Sequence, residues 1–284
     1  TSWQSGSQQV AIMVAAAMGF ALNALMEESA IREWGWRIPF LLSSVLVLLG
    51  LWIRKDIDET PDFKKVKQSG QVAKAPLRDT LKHHWREVLI AAGLKVVETA
   101  PFYIFSTFVV SYATTMLTYQ KSQALEAVTL GALVATVMIP LMGLLSDKIG
   151  RQRMYAASVF ILGLFIVPWF MLLNTGTTWG IVLATVIAFG VLWAPVTAVL
   201  GTLCSEIFSA NVRYTGITLG YQLGAALAGG TAPLIATGLL AKYDGDWIPV
   251  AWYLAVTVVI SLIAIFCASR VKRTTLLQAQ PEHL

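Results

Sequence analysis

Long uninterrupted apolar runs, repeated with short polar interruptions, constrain this chain more than any other feature. A helix crossing a bilayer core needs about 20 mostly apolar residues. Eight stretches meet that demand: residues 8–25, 36–53, 88–112, 125–145, 154–173, 179–203, 214–239 and 249–269. Spanning strands would be about half as long and would alternate apolar with polar side chains, whereas these runs are continuous. Within lipid the backbone must satisfy its own hydrogen bonds, which restricts spanning structures to helices and closed barrels. The expected fold is therefore all-α, a polytopic transmembrane helical protein of eight spans. Charged residues make up 13% of the chain against 56% hydrophobic ones, too few to coat a water-facing surface, where about 25% or more is usual.

Lysine and arginine set the orientation. Of the 21 such residues, all but Lys95 lie between the spans or at their ends. An even number of spans puts both termini on one face. That face holds sixteen of them: Arg54, Lys55, Lys64, Lys65, Lys67, Lys74, Arg78, Lys82, Arg86, Lys148, Arg151, Arg153, Arg213, Arg270, Lys272 and Arg273. The opposite loops hold four, Arg32, Arg37, Lys121 and Lys242. Basic loops stay in the cytoplasm, so both termini are expected there. The net charge of +5 is then a membrane effect, and a nucleic-acid partner is not expected.

Cys204 and Cys267 fall within or at the ends of apolar spans without redox or metal spacing, and read as packing residues. His83 and His84 sit in the basic loop and His283 in the tail, so no histidine cluster forms on one helix. A glycine-rich phosphate loop of the GxxxxGK[ST] type does not occur. No cofactor, metal or bound ATP is expected, and no enzymatic activity, since no buried nucleophile–base pair stands out.

The longest polar segment, 54–87, separates two spans from a group of six. The chain thus reads as a two-span unit (1–53), a cytoplasmic linker (54–87), a six-span unit (88–269) and a cytoplasmic tail (270–284). Within the linker, Leu77, Leu81 and Trp85 are spaced by four with Arg78, Lys82 and Arg86 one step round, a pattern for a helix lying on the inner leaflet. Trp34, Trp36, Trp179, Trp247, Trp252 and Tyr253 sit where interfacial aromatic anchors belong. Thr1 opens the chain without an initiator methionine or a signal segment; the expectation is a fragment, with four helices preceding it.

Gly143-Leu-Leu-Ser-Asp147-Lys148-Ile-Gly150-Arg151-Gln-Arg153, between the fourth and fifth spans, resembles the cytoplasmic loop motif G-x-L-x-D-[RK]-x-G-[RK]-x-[RK] of the major facilitator superfamily. Three further segments accompany it: Trp34-Gly-Trp-Arg-Ile-Pro-Phe-Leu-Leu-Ser43, Glu59-Thr-Pro-Asp-Phe63, and Ser205-Glu206-Ile-Phe-Ser-Ala-Asn-Val-Arg213. With them the chain resembles the metabolite:proton symporter family over essentially its whole length. The resemblance implies helices five to twelve of that fold: two from the N-terminal half, and a complete C-terminal half. It also implies the bacterial inner membrane, and substrates among small organic acids, amino acids or betaines. The loop residues Gly143, Asp147, Lys148, Gly150, Arg151 and Arg153, with Glu206 and Arg213, would form a conformational latch closing near Ser2 and Trp3. Chemically, Asp147 stands where a carboxylate meets a helix N-terminus, and Arg151 can answer it across the turn that Gly150 permits. A plain topology anchor would need the basic residues but not the carboxylate.

Charged groups deep in a span are expensive, roughly 2.5 to 3.5 kcal/mol each on insertion scales. The third span carries two. At about 1.5 Å per residue, Lys95 lies about 10 Å and Glu98 about 15 Å along it, three apart and on one face. Pro101 cannot donate to the carbonyl of Val97, loosening the helix beside Glu98, with Thr99 and Tyr103 close by. Glu98 is the expected proton carrier, its charged form opposed by burial and favoured by Lys95; the plain alternative is a static ion pair that lowers insertion cost. Trp193 and Thr197, flanking Pro195, and Tyr221 with Gln222 are, with Thr99 and Tyr103, the candidate substrate-cavity residues, against a reading as interhelical packing. Gly216, Gly220, Gly224 and Ala228 form a strip of small residues on which another helix can pack closely. Pro101, Pro140, Pro168, Pro195 and Pro233 fall in the third to seventh spans, where each is expected to disturb its helix.

The function these features point to is secondary active transport: proton-coupled symport of a small polar metabolite by alternating access. Its partners would be substrate, protons, lipid and the missing helices of the same transporter. The alternative is a transport-inactive remnant or membrane scaffold, because substrate sites of this kind lie between two helical halves.

Overall fold

The computed structural model describes residues 14, 18, 21–22, 25–56, 76–209 and 212–278. The described residues are helical with short turns between helices. Up to Asp56 they belong to one compact unit and from Pro76 onward to another.

In the first unit a π-helical turn, Ile31–Gly35, leads into helix α1, Arg37–Asp56. Its apolar side chains from Phe40 to Ile53 are exposed. The sequence-predicted first span, 8–25, lies largely outside the described residues, as do most of the linker, the segment Glu59–Phe63 and the latch partners Ser2 and Trp3.

The second unit begins with α2, Pro76–His83. Its apolar Leu77 and Leu81 are exposed, and so is Trp85 just beyond, whereas Thr80 is buried. Six long helices follow: α3, Trp85–Thr115; α4, Lys121–Ile149; α5, Arg151–Leu173; α6, Thr178–Ile207; α7, Arg213–Lys242; and α8, Ile248–Gln278. With the Ile31–Ile53 segment, seven described segments are long and apolar enough to cross a membrane. The ends of α3 to α7 lie within four residues of the expected spans, whereas α8 stays helical nine residues past its expected end at 269.

Helices α3 and α6 form the centre: 67% of the apolar window of each is buried, against 22 to 44% for α4, α5, α7 and α8. α3 packs against α6, α7 and α8, while α6 also meets α4 and α5. Leu94, Val97, Ala100, Ile104 and Phe105 of α3 are enclosed in the core with Tyr155 and Trp169 of α5. Phe105 meets the Trp169 ring edge to face at 5.0 Å. Outward-facing leucines and valines on α4, α5 and α8 remain exposed, as lipid requires.

The α3–α7 contact depends on missing side chains. A Cβ on Gly220 would stand 2.5 Å from Ala91 Cβ, and one on Gly224 would stand 2.5 Å from the Ala92 carbonyl oxygen and 2.7 Å from Lys95 Cβ. The next close approach is made by Gly229, not Ala228: its Cβ position is 2.3 Å from Thr99 Cγ2. A π-helical turn at Ala225–Gly229 explains the shift, since it inserts about one residue into the turn and advances the contact face by one.

π-helical turns also occur in α3 at Ile104–Phe108 and in α6 at Val186–Leu192. All three thus lie near Pro101, Pro195 or Pro233. Pro195 and Pro233 each leave the carbonyl four residues earlier without its usual donor, and in both cases that residue, Val191 or Gly229, lies in the π turn. Pro140 and Pro168 differ, since α4 and α5 run on as α-helix through them.

Replacing Gly224 by leucine should force α7 off α3 and cost about 1 to 3 kcal/mol through overpacking, read as a lowered melting temperature in detergent. Gly238→Leu is the control, because a Cβ there meets nothing within 4 Å; its melting temperature should not fall.

Candidate functional site

The middle of α3 is held as much by its neighbours as by its own ladder. Pro101 leaves the Val97 carbonyl without its helical donor. One turn earlier, the Ser261 hydroxyl of α8 donates to the Gly93 carbonyl at 2.6 Å and accepts the Val97 N–H at 3.2 Å. It therefore stands between the two groups that an α-helix would join directly, a recognised cause of local bending. The Tyr155 hydroxyl of α5 donates to the Leu94 carbonyl at 2.5 Å, and the Trp193 indole of α6 donates to the Glu98 carbonyl at 2.7 Å.

On this segment Lys95 and Glu98 project from one face, with Nζ 2.5 Å from Glu98 Oε2. Glu98 is 8% exposed. Its Oε1 accepts the Thr197 hydroxyl of α6 at 3.0 Å, and its Oε2 is 3.0 Å from the Thr99 hydroxyl. The stem of Lys95 runs over Gly224, and its ammonium sits 4.9 Å from the Tyr221 ring centroid, a cation–π distance. Tyr221 in turn interacts with the Cys204 thiol. The ion pair is thus enclosed by α3, α6 and α7.

Thr99 has a choice of partner. Its hydroxyl is 3.0 Å from Glu98 Oε2 and also 3.0 Å from the Lys95 carbonyl. A hydroxyl has one hydrogen and two lone pairs. Facing a carboxylate it donates to Oε2. Facing a neutral carboxylic acid it can donate to the Lys95 carbonyl and accept the acid proton instead. Both protonation states of Glu98 are therefore supplied with hydrogen bonds by the same side chain.

Among the residues singled out from the sequence, Lys95, Glu98, Thr99, Trp193, Thr197 and Tyr221 come together here. Tyr103 lies one turn on from Thr99, beside Gly229, and is 37% exposed and edge-on to Phe102 at 5.3 Å. Gln222 is exposed. Ser261, Tyr155 and Cys204 were not anticipated as neighbours of the site. The signal for the first two was a polar side chain within an apolar span, which has to find a partner inside the protein; which partner depends on helix packing.

A second cluster occupies the turn between α4 and α5. Gly150 has φ 98°, a conformation that favours glycine. It reverses the chain so that Arg151, opening α5, lies over the last turn of α4. One guanidinium nitrogen is 3.0 Å from Asp147 and another is ion-paired with Glu206 at the end of α6. These three residues, with Gly150, Gln152 and Arg153, line a cavity of about 410 Å³. Lys148 and Arg153 are exposed, Gly143 is buried on α4, and Arg213 donates to the Phe208 carbonyl at 3.4 Å.

The profile of the Major Facilitator Superfamily matches residues 3–229 and 102–283, which together take in nearly the whole chain. A citrate-proton symporter of Klebsiella pneumoniae is 33% identical over 264 residues, covering 93% of this chain and 59% of that protein. A shikimate transporter of Escherichia coli is 30% identical over 254 residues, covering 89% and 58%. A glycine betaine/proline/ectoine/pipecolic acid transporter of Dickeya dadantii is 27% identical over 271 residues, covering 92% and 54%. The chain thus spans between half and three fifths of the length of these relatives. No solved structure matches it. With the family profile extending over both units, and the loop motif folded into an Asp147–Arg151–Glu206 network between α4, α5 and α6, the chain belongs to the Major Facilitator Superfamily.

Proposed function

We propose that this chain serves proton-coupled symport of a small carboxylate-bearing metabolite by alternating access, across the bacterial cytoplasmic membrane with both termini cytoplasmic. The observation that carries the reading is Glu98: a carboxylate enclosed among membrane-spanning helices, with a hydroxyl neighbour able to serve it charged or neutral. A buried group that only stabilised the fold would need one well-satisfied state. A carrier needs two of comparable free energy, so that opening to one side or the other tips the balance. The relatives add the substrate class, because citrate, shikimate, proline and glycine betaine all bear a carboxylate. Lys95 supplies a cation where such a group could be neutralised.

The Asp147–Arg151–Glu206 cluster suits a latch. It joins the ends of α4, α5 and α6 through charges that are partly exposed, so making and breaking it costs little. Pairs of this kind contribute about 0.2 to 1 kcal/mol, enough to shift a two-state balance by up to about fivefold while leaving the fold intact.

In vesicles containing the complete gene product, citrate, shikimate and glycine betaine should be tested for uptake with and without an inward-directed proton gradient. Gradient-driven accumulation of at least one is expected. Glu98→Gln should abolish accumulation while sparing exchange between the two faces, and intact accumulation would reject Glu98 as carrier. Glu206→Gln should change the transport rate by up to about fivefold with an unchanged melting temperature; an unchanged rate would reduce the cluster to a topology anchor.

A further inference from the structure

Basic side chains of the six-helix unit are answered unequally. At the turn between α4 and α5, Arg151 is held by Asp147 and Glu206. Where α2 runs into α3, Arg78, Lys82 and Arg86 are all exposed, and among the described residues no ion pair engages them. Arg86 lies over the Trp85 ring, 5.4 Å from its centroid. Beside these cations runs an apolar row, Leu77, Leu81, Trp85 and Leu89, each four residues from the next and 50 to 57% exposed.

The register of α2 sorts its side chains. Thr80 marks the side buried against the bundle, since α2 packs on α3 and on the first part of α7. At about 100° per residue, Leu77 and Leu81 come next round the helix, then Arg78 and Lys82, then Asp79 and His83. The basic pair therefore lies opposite the buried side, between an apolar edge and a polar one. Glu87 faces His84 at 3.7 Å rather than the cations. A bilayer surface presents its parts in the same order: acyl chains for the apolar edge, phosphates at the boundary and water beyond. Leu89 already belongs to the membrane-spanning stretch of α3, so the apolar row runs without a break into the span.

We infer that the junction of α2 and α3 is a binding surface for anionic phospholipid, with the apolar row against the acyl chains and Arg78, Lys82 and Arg86 on the headgroups. A zwitterionic headgroup also carries a phosphate, but its own ammonium cancels the charge. Three unanswered cations select a lipid of net negative charge. A nucleic acid or an acidic protein segment would meet the cations and leave the leucines and Trp85 in water, which disfavours both. Such binding requires only that α3 cross the membrane, whether or not Glu98 carries protons. In the orientation proposed above, the leaflet concerned is the cytoplasmic one.

The test uses the complete gene product in phosphatidylcholine vesicles that contain brominated phosphatidylglycerol or, at equal mole fraction, brominated phosphatidylcholine. Bromine quenches tryptophan fluorescence at short range, and the share of quenching that disappears in Trp85→Phe reports lipid at this surface. Both leaflets hold the brominated lipid, so orientation does not enter. Brominated phosphatidylglycerol should quench Trp85 more than brominated phosphatidylcholine, and that preference should shrink as salt is raised. Arg78→Gln, Lys82→Gln and Arg86→Gln, each measured with and without Trp85→Phe, should lower the preference by up to about fivefold apiece. These side chains are exposed, so the melting temperature in detergent should not change. Lys242→Gln, at the opposite end of α7 from the α2 contact, should leave the preference intact. Equal quenching by the two lipids, or a preference that survives all three substitutions together, would overturn the inference. So would a Trp85 that neither lipid quenches, the result expected if a protein segment or water covers this surface.

Discussion

An ammonium and a carboxylate 2.5 Å apart, three residues apart on a helix that otherwise buries apolar side chains, are the constraint around which the six-helix unit is arranged. Neither charge is tolerable alone at that depth, so each has to be answered at short range. α3 presents them on one face. α6 brings Thr197 to the second carboxylate oxygen and Trp193 to the backbone beside it. α7 gives up side-chain volume at Gly220, Gly224 and Gly229, which lets the Lys95 stem and Thr99 lie against its backbone. α5 and α8 tether the same stretch through Tyr155 and Ser261. That four neighbouring helices converge on residues 93–99 explains why α3 is among the most enclosed helices of the unit.

Within the six-helix unit the π-helical turns fall in three of the helices that build the site. α3, α6 and α7 each combine a proline with a π-helical turn, and each contributes to the site. α4 and α5 carry Pro140 and Pro168 without such a turn. A proline removes one donor wherever it sits, but a wider turn forms only where neighbouring packing accommodates the displaced carbonyl. In α7 that turn has a visible consequence: it carries the small-residue strip forward by one residue, so that Gly229 meets Thr99. The two ionic clusters obey different physics. The Lys95–Glu98 pair is enclosed, where removing one partner strands a charge. The Asp147–Arg151–Glu206 network is partly exposed, where each contact is individually weak and readily exchanged.

Much of this was legible in the chain itself. Span length and apolar continuity determined an all-helical membrane protein, because lipid offers the backbone no partners and leaves helices as the arrangement that long apolar runs can adopt. Charge spacing alone placed Lys95 and Glu98 on one face, since residues three apart share a face in any helix. The Asp147–Gly150–Arg151 turn was equally local, a contact across four residues around a glycine with positive φ. Tertiary structure decided the rest. The partners Thr197, Trp193, Tyr221, Ser261 and Tyr155 come from four other helices, and Gln222 separates from its neighbour Tyr221 because consecutive residues on a helix point about 100° apart. The exchange of Ala228 for Gly229 in the α3 contact followed from a π turn whose cause lies in packing. Local periodicity determines which face of a helix a residue occupies; which helix that face meets depends on contacts between residues far apart in sequence, and no spacing rule within one span contains them.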